Sequence, residues 1–289
     1  MQLDIFEHSR DVMLRNDVIS ALERHDAAAA RAACDLLAQE CPADESQPAL
    51  RALLDGLECT DRRSIGDHAA LRQARQAVEA LQPLAERVFG PLAATRWLAP
   101  LWQDLALRAE AVPFRTDSAQ DHAAPLWLAA GNWKAAAQAV GAIESWRRIP
   151  APLAWMTEAR LRMLGLQATW PLLAELGWLS PARLDDLLRR CQDPLLCTLA
   201  RKFGENFDGD GTANDTAWFA AWVLTERPEV AEHLSAAQPS LHNGPERAFR
   251  TLVELLGLER QGRQRDIVER RKTLRDLHPS LYAAYMKTR

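Results

Sequence analysis

The stretch Gly131–Pro150, GNWKAAAQAVGAIESWRRIP, decides the fold class of this chain. Gly131-Asn132 is turn chemistry, and behind it Ala136, Val140 and Ile143 recur at steps of four and three before Pro150 stops the pattern. Such spacing puts small and apolar side chains on one face of a helix that opens after a tight turn. Two other segments repeat the arrangement. His25-Asp26 precedes Ala30, Cys34, Leu37-Ala38 and Pro42, and Gly262-Arg263-Gln264 precedes Ile267, Arg271, Leu274 and Pro279.

Outward from these segments the helical signal continues. The chain has 289 residues, 48% hydrophobic and 26% charged, and Ala, Leu, Arg, Glu and Gln dominate, all strong helix formers. No run alternates apolar and polar residues with β-branched enrichment, so no strand is expected. Proline repeatedly follows a turn or capping residue, at Gln47-Pro48, Gly90-Pro91, Ser180-Pro181, Asp193-Pro194, Gly244-Pro245 and His278-Pro279. At a first helical position its missing N–H costs nothing. Roughly fifteen helices of about ten to twenty residues with short connections are predicted. In the first, Ile5, Val12 and Ile19, with Phe6 and Met13, form the stripe expected to meet a partner helix. Two segments read as longer loops, VPFRTDSAQ at Val112–Gln120 and GENFDGDGTAND at Gly204–Asp215. The former is the expected boundary between regions 1–112 and 113–289, unless the helices form one continuous array.

The three similar segments resemble second halves of tetratricopeptide repeats, in which a small residue, an aromatic four later and a terminal proline mark a unit of about 34 residues. Here the aromatic position holds Cys34, Val140 or Arg271, and Trp127 before Gly131 is the best counterpart of a first-helix aromatic. The resemblance implies an all-α fold of antiparallel helix pairs stacked as a tetratricopeptide-like α-α superhelix. It also implies an adaptor that binds another protein or peptide along a concave face.

Five widely spaced cysteines do not read as a disulfide framework, and Cys191 and Cys197, six apart across Asp193-Pro194, do not share a helical face. No stretch has the length and apolarity of a membrane span, and Met1–Arg10 does not read as a signal peptide, so a cytoplasmic location is expected. Glycine-rich phosphate loops, nucleophile elbows, His-Glu-x-x-His and Cys-x-x-Cys are all missing, and the seven histidines are scattered. The expectation is a non-enzymatic protein without a cofactor, the alternative being a helical enzyme whose groups converge from distant positions.

All ten tryptophans lie between Trp97 and Trp222. Trp127, Trp133, Trp146, Trp218 and Trp222 are candidates for a partner-binding groove, although such rings more often fill helix interfaces. Arg147 and Arg148 in the stiff turn Trp146–Pro152 are candidates for clamping a carboxylate or phosphate. Asn206, Asp208, Asp210 and Gly211 match the first half of an EF-hand loop, but the twelfth position is Ala217 rather than a bidentate Glu, so no metal site is expected. From Glu259 onward there are 9 Lys/Arg against 4 Asp/Glu, leaving 26 basic and 35 acidic residues before it. Arg263, Arg265, Arg270, Arg271, Lys272 and Arg275 form that basic patch, which could meet nucleic acid, with Asp266, Glu269 and Asp276 diluting it.

Overall fold

The computed structural model describes residues 3–58 and 64–287, with side chains from Arg10 onward. Among the described residues 79% are helical, in fifteen α-helices and a few short 3-10 turns, with no strand. Helices pack mainly against their successive neighbours. The chain forms two compact units, Met1–Asn132 and Trp133–Arg289. The segment around residue 113, where a boundary was expected, falls inside the first of them.

The first unit holds α1 (Leu3–Glu23), α2 (Ala27–Glu40), α3 (Gln47–Glu58), α4 (His68–Phe89), α5 (Pro91–Arg108) and α6 (Ala123–Ala129). Asp26 and Asp67 accept the amides of Ala29 and Ala70, satisfying donors that a helix start leaves open. The α1 stripe differs from the expected one. Val12 and Met13 are 48% and 55% exposed, whereas Leu14, Val18, Ala21 and Leu22 are buried. Those four lie on the face that meets α2 and α3, while strict heptad spacing drifts away from a straight helix's buried face. The side chains of Ile5 and Phe6 lie outside the described residues, as does Cys59. Segment 109–122 is tied down by Asp121, whose buried carboxylate accepts Arg72 Nε at 2.9 Å and Arg75 Nε at 3.3 Å.

The second unit holds α7 (Trp133–Gly141), α8 (Pro150–Leu179), α9 (Pro181–Arg189), α10 (Pro194–Asn206), α11 (Phe219–Glu226), α12 (Ala231–Leu234), α13 (Gly244–Gln261), α14 (Gln264–Leu277) and α15 (Pro279–Lys287). Its core is aromatic and aliphatic, with Leu153, Trp170, Leu173, Trp178, Phe219, Trp222, Phe249, Leu252 and Tyr285 all buried. Helix α8 is two helices joined at Gly165, whose φ of 78° with ψ of −179° is open only to glycine.

The three similar segments share a turn down to individual hydrogen bonds. His25, Gly131 and Gly262 each take a left-handed backbone, with φ of 55°, 72° and 70°. In each, this residue's amide bonds three residues back and the next amide bonds five back: Asp26 to Ala21, Asn132 to Trp127 and Arg263 to Leu258. This is the Schellman ending, which satisfies carbonyls at a helix C-terminus while reversing the chain. The following helices bury the expected positions: Ala30, Cys34 and Leu37 in α2, Ala136 and Val140 in α7, Ile267 and Leu274 in α14. Glycine takes the left-handed region without strain; His25 is held there by its ring. That ring stacks on Trp97 at 5.6 Å, its Nε2 lies 2.9 Å from the Trp97 carbonyl, and Trp97 Nε1 donates to Leu22 O.

Candidate functional site

An open groove of about 650 Å³ lies in the second unit between α9, α10 and the segment that runs from Phe207 into the 3-10 helix Ala213–Trp218. Its position follows from two sharp stops. Ser180-Pro181 starts α9, and Asp193-Pro194 starts α10, with Asp193 accepting the Leu196 amide at 2.9 Å. Leu188, Phe203 and Phe207 supply the apolar floor, and Phe203 stacks on Phe207 at 4.6 Å while meeting Phe219 and Trp222 edge-on at 5.4 Å. The floor is therefore the surface layer of the unit's own core. Arg189 and Arg201 stand at the rim, paired with Asp185 and with Glu205 one helical turn away. Exposed pairs of this kind contribute about 0.3–0.5 kcal/mol, so either guanidinium can exchange its carboxylate for another.

The far wall is the acidic loop. The Asp215 carboxylate accepts the amides of Asp210 at 3.1 Å, Gly211 at 2.7 Å and Thr212 at 3.2 Å. The loop is thus wound around an internal carboxylate. Any Cβ at Gly209 would sit 2.5 Å from that carboxyl carbon, which explains the glycine. The EF-hand-like candidates face separate partners: Asn206 donates to the Lys202 carbonyl, Asp208 accepts from the Ser280 hydroxyl at 2.6 Å, and Asp210 is exposed. No group of three or more His, Cys, Asp or Glu side chains suited to a metal occurs among the described residues.

The other sequence candidates scatter. Trp127 and Trp222 are 5% and 3% exposed and belong to the cores of their units. Trp218 is half-buried, edge-on to His278 at 4.5 Å. Trp133 is half-buried beneath Arg162, and Trp146 is half-buried in a short 3-10 turn. Arg147 does clamp a carboxylate, but an internal one. Its Nε and Nη2 meet Glu175 at 2.5 and 2.6 Å, and Glu175 also accepts the Gln238 amide at 2.6 Å. Arg148 donates to the Pro239 carbonyl, so both arginines hold the segment before α13. Glu246 completes that anchoring, its buried carboxylate accepting the amides of Ser240 and His242 and the Arg250 guanidinium. Despite the opposing effect of burial, these donors hold its pKa below the usual carboxylate value.

Most of the basic patch is paired. Arg263 meets Asp266, Arg270 meets Glu254, and Arg275 meets Asp276. Arg271 bonds Glu259 and the hydroxyl of buried Tyr285, locking α13, α14 and α15 together. Arg265 and Lys272 are exposed and carry no ion pair among the described residues.

Sequence spacing gave no hint that Leu188, Phe203, Phe207, Arg189 and Arg201 line one groove, because they come from three elements. Phe203 and Phe207, four residues apart, are the only pair among them that helical spacing places together. The chain matches no protein family, no curated protein and no solved structure.

Proposed function

We propose that this chain is a non-enzymatic interaction module built on tetratricopeptide-like helix pairs, and that it binds another protein or peptide in the groove of its second unit. The groove supports this reading: an aromatic floor of Phe203 and Phe207 beneath exchangeable cations at Arg189 and Arg201. That combination suits an extended peptide with an apolar anchor flanked by carboxylates, since buried anchors carry most of the energy of such interfaces while rim charges steer and orient. The titratable groups nearby already have work within the fold, Asp215 holding its loop and Asp185 pairing with Arg189. The repeat resemblance rests on the three shared turns and their buried helical faces. A cytoplasmic setting accords with thiols at Cys34, Cys41, Cys191 and Cys197 that are not in disulfides. No helix among the described residues is long and apolar enough to cross a membrane.

The test is selection from a random peptide display library with the wild-type chain and with Ala200→Arg. Ala200 lines the groove from α10, so arginine there fills its mouth without removing a core contact. Enriched acidic–apolar peptides that bind the wild type and lose at least tenfold affinity for an equally stable Ala200→Arg protein support the groove. Peptides that bind both equally, or no enrichment at all, overturn it.

A further inference from the structure

Two thiols line the groove that peptide binding does not require. Cys191 follows the last turn of α9, its amide bonding the Leu188 carbonyl, and Cys197 sits in the first turn of α10. Between them Gln192-Asp193-Pro194 doubles the chain back. The Cys197 thiol donates to the Cys191 carbonyl at 3.1 Å, and Cys191 Sγ accepts the Asp193 amide at 3.3 Å. The Cys197 sulfur thus lies against the backbone of Cys191, and the Cys191 sulfur lies against the amide of Asp193 in the turn between them. Both are half-buried, neither is in a disulfide, and both line the open groove. Cys191 also borders a second opening of about 380 Å³ toward α8.

We propose that Cys191 and Cys197 are a reversible dithiol–disulfide pair, oxidised through the groove by a small-molecule disulfide. A disulfide needs two Cα atoms about 4.4–6.8 Å apart with converging Cβ atoms. The Cys197 sulfur already touches the Cys191 carbonyl, and the two thiols are side-chain neighbours, which brings the sulfurs close together. One cysteine thiolate attacks a sulfur of the small disulfide, whose S–S bond breaks, and one small thiolate leaves and takes a proton from solvent. The second cysteine sulfur, its proton released to solvent, then attacks the protein sulfur of the mixed disulfide and expels the second small thiolate, which is protonated in turn. Two cysteine thiols are oxidised to one disulfide, and one small disulfide is reduced to two thiols.

Burial and the neighbouring Cys197 push the Cys191 thiol above its ordinary pKa, so the exchange accelerates as pH rises above neutral. Two other cysteines provide an internal contrast. Cys34 is buried in the first unit, and Cys41 donates to the Asp11 carboxylate at 2.7 Å, which pushes it up to about 11. Neither lines the groove. Because the closed loop spans only the turn between α9 and α10, the bond tethers that turn beside the groove and stabilises the fold less than a bond closing a longer loop would.

The test exposes the folded full chain to oxidised glutathione at mildly alkaline pH, then alkylates free thiols and digests with trypsin. Cleavage after Arg190 and Arg201 places both cysteines on the single peptide Cys191–Arg201. The expected product is that peptide two hydrogens lighter, not alkylated, and restored by dithiothreitol. In Cys191→Ser, Cys197 is expected to retain glutathione because no second sulfur displaces it. A wild-type peptide that retains glutathione, or that is still fully alkylated at both cysteines, overturns the proposal whether or not the variant folds. No peptide partner is present, so the result is independent of the adaptor reading.

Discussion

Acidification should destabilise this protein through one histidine. His122 precedes α6, is 8% exposed, and uses Nδ1 to accept the Ala124 amide at 3.1 Å, with Phe114 edge-on at 5.8 Å. Burial, reinforced by the nearby His68, lowers its pKa to about 4. Protonation would also place a hydrogen on Nδ1, facing the amide hydrogen it now accepts. The unfolded chain binds this proton near the ordinary histidine value of about 6.5, so between pH 6.5 and 4 the unfolded state holds more protons. The stabilising contribution is therefore complete above pH 6.5 and is lost as pH falls through 4. The fall from 6.5 to about 4, at 1.36 kcal/mol for each step of one in pH, gives about 3 kcal/mol. His122→Asn retains an acceptor at the helix start but does not titrate. Urea unfolding of both proteins at half-unit steps from pH 7 to 4 should show curves that converge by about 3 kcal/mol toward the acid end. Carboxylates held below their usual range, such as Asp44 and Glu246, affect both proteins alike and cancel in the difference. Parallel curves, or an NMR titration placing His122 near 6.5, would refute the reasoning.

Other outcomes follow from single contacts. Glu175→Ala leaves the half-buried Arg147 and the Gln238 amide without their acceptor and should cost about 3 kcal/mol, with new proteolytic cleavage in residues 235–243; a cost under about 1 kcal/mol would mean that solvent replaces the carboxylate. Gly165→Ala meets no atom within 4 Å, so its expected loss of about 1–3 kcal/mol in thermal unfolding measures backbone strain alone. Trp222→Ala should cost about 3–5 kcal/mol as a core deletion, clearly more than the same change at half-buried Trp218; equal losses would contradict the burial difference. Tyr285→Phe removes a buried hydroxyl shared by Glu259 and Arg271, and chemical denaturation should register about 1–2 kcal/mol.

What the chain determines locally could be read from its residues. Helix content, the proline starts at Pro91, Pro181, Pro194 and Pro279, and the turn–helix segments after His25, Gly131 and Gly262 depend on interactions within a few residues, and the structure shows them. Which face of a helix is buried is only partly local. Ala30, Cys34 and Leu37 sit where spacing placed them, but α1 buries Leu14 and Val18 rather than Val12 because α2 and α3 choose the face. Partnership across the chain was not legible at all. The arginines at 147 and 148 were candidate clamps with no partner visible in the sequence, and tertiary contacts bring Glu175 and Pro239 to them; likewise nothing in the sequence showed that Asp215 holds the amides of the acidic loop. Cys191 and Cys197 appeared unrelated under helical periodicity because Cys191 lies outside the helix, in a turn whose path periodicity does not describe. Propensity, capping and turn chemistry act over about one helical turn and are written in sequence order. Grooves, ion pairs and paired thiols arise from residues that meet only after the helices pack.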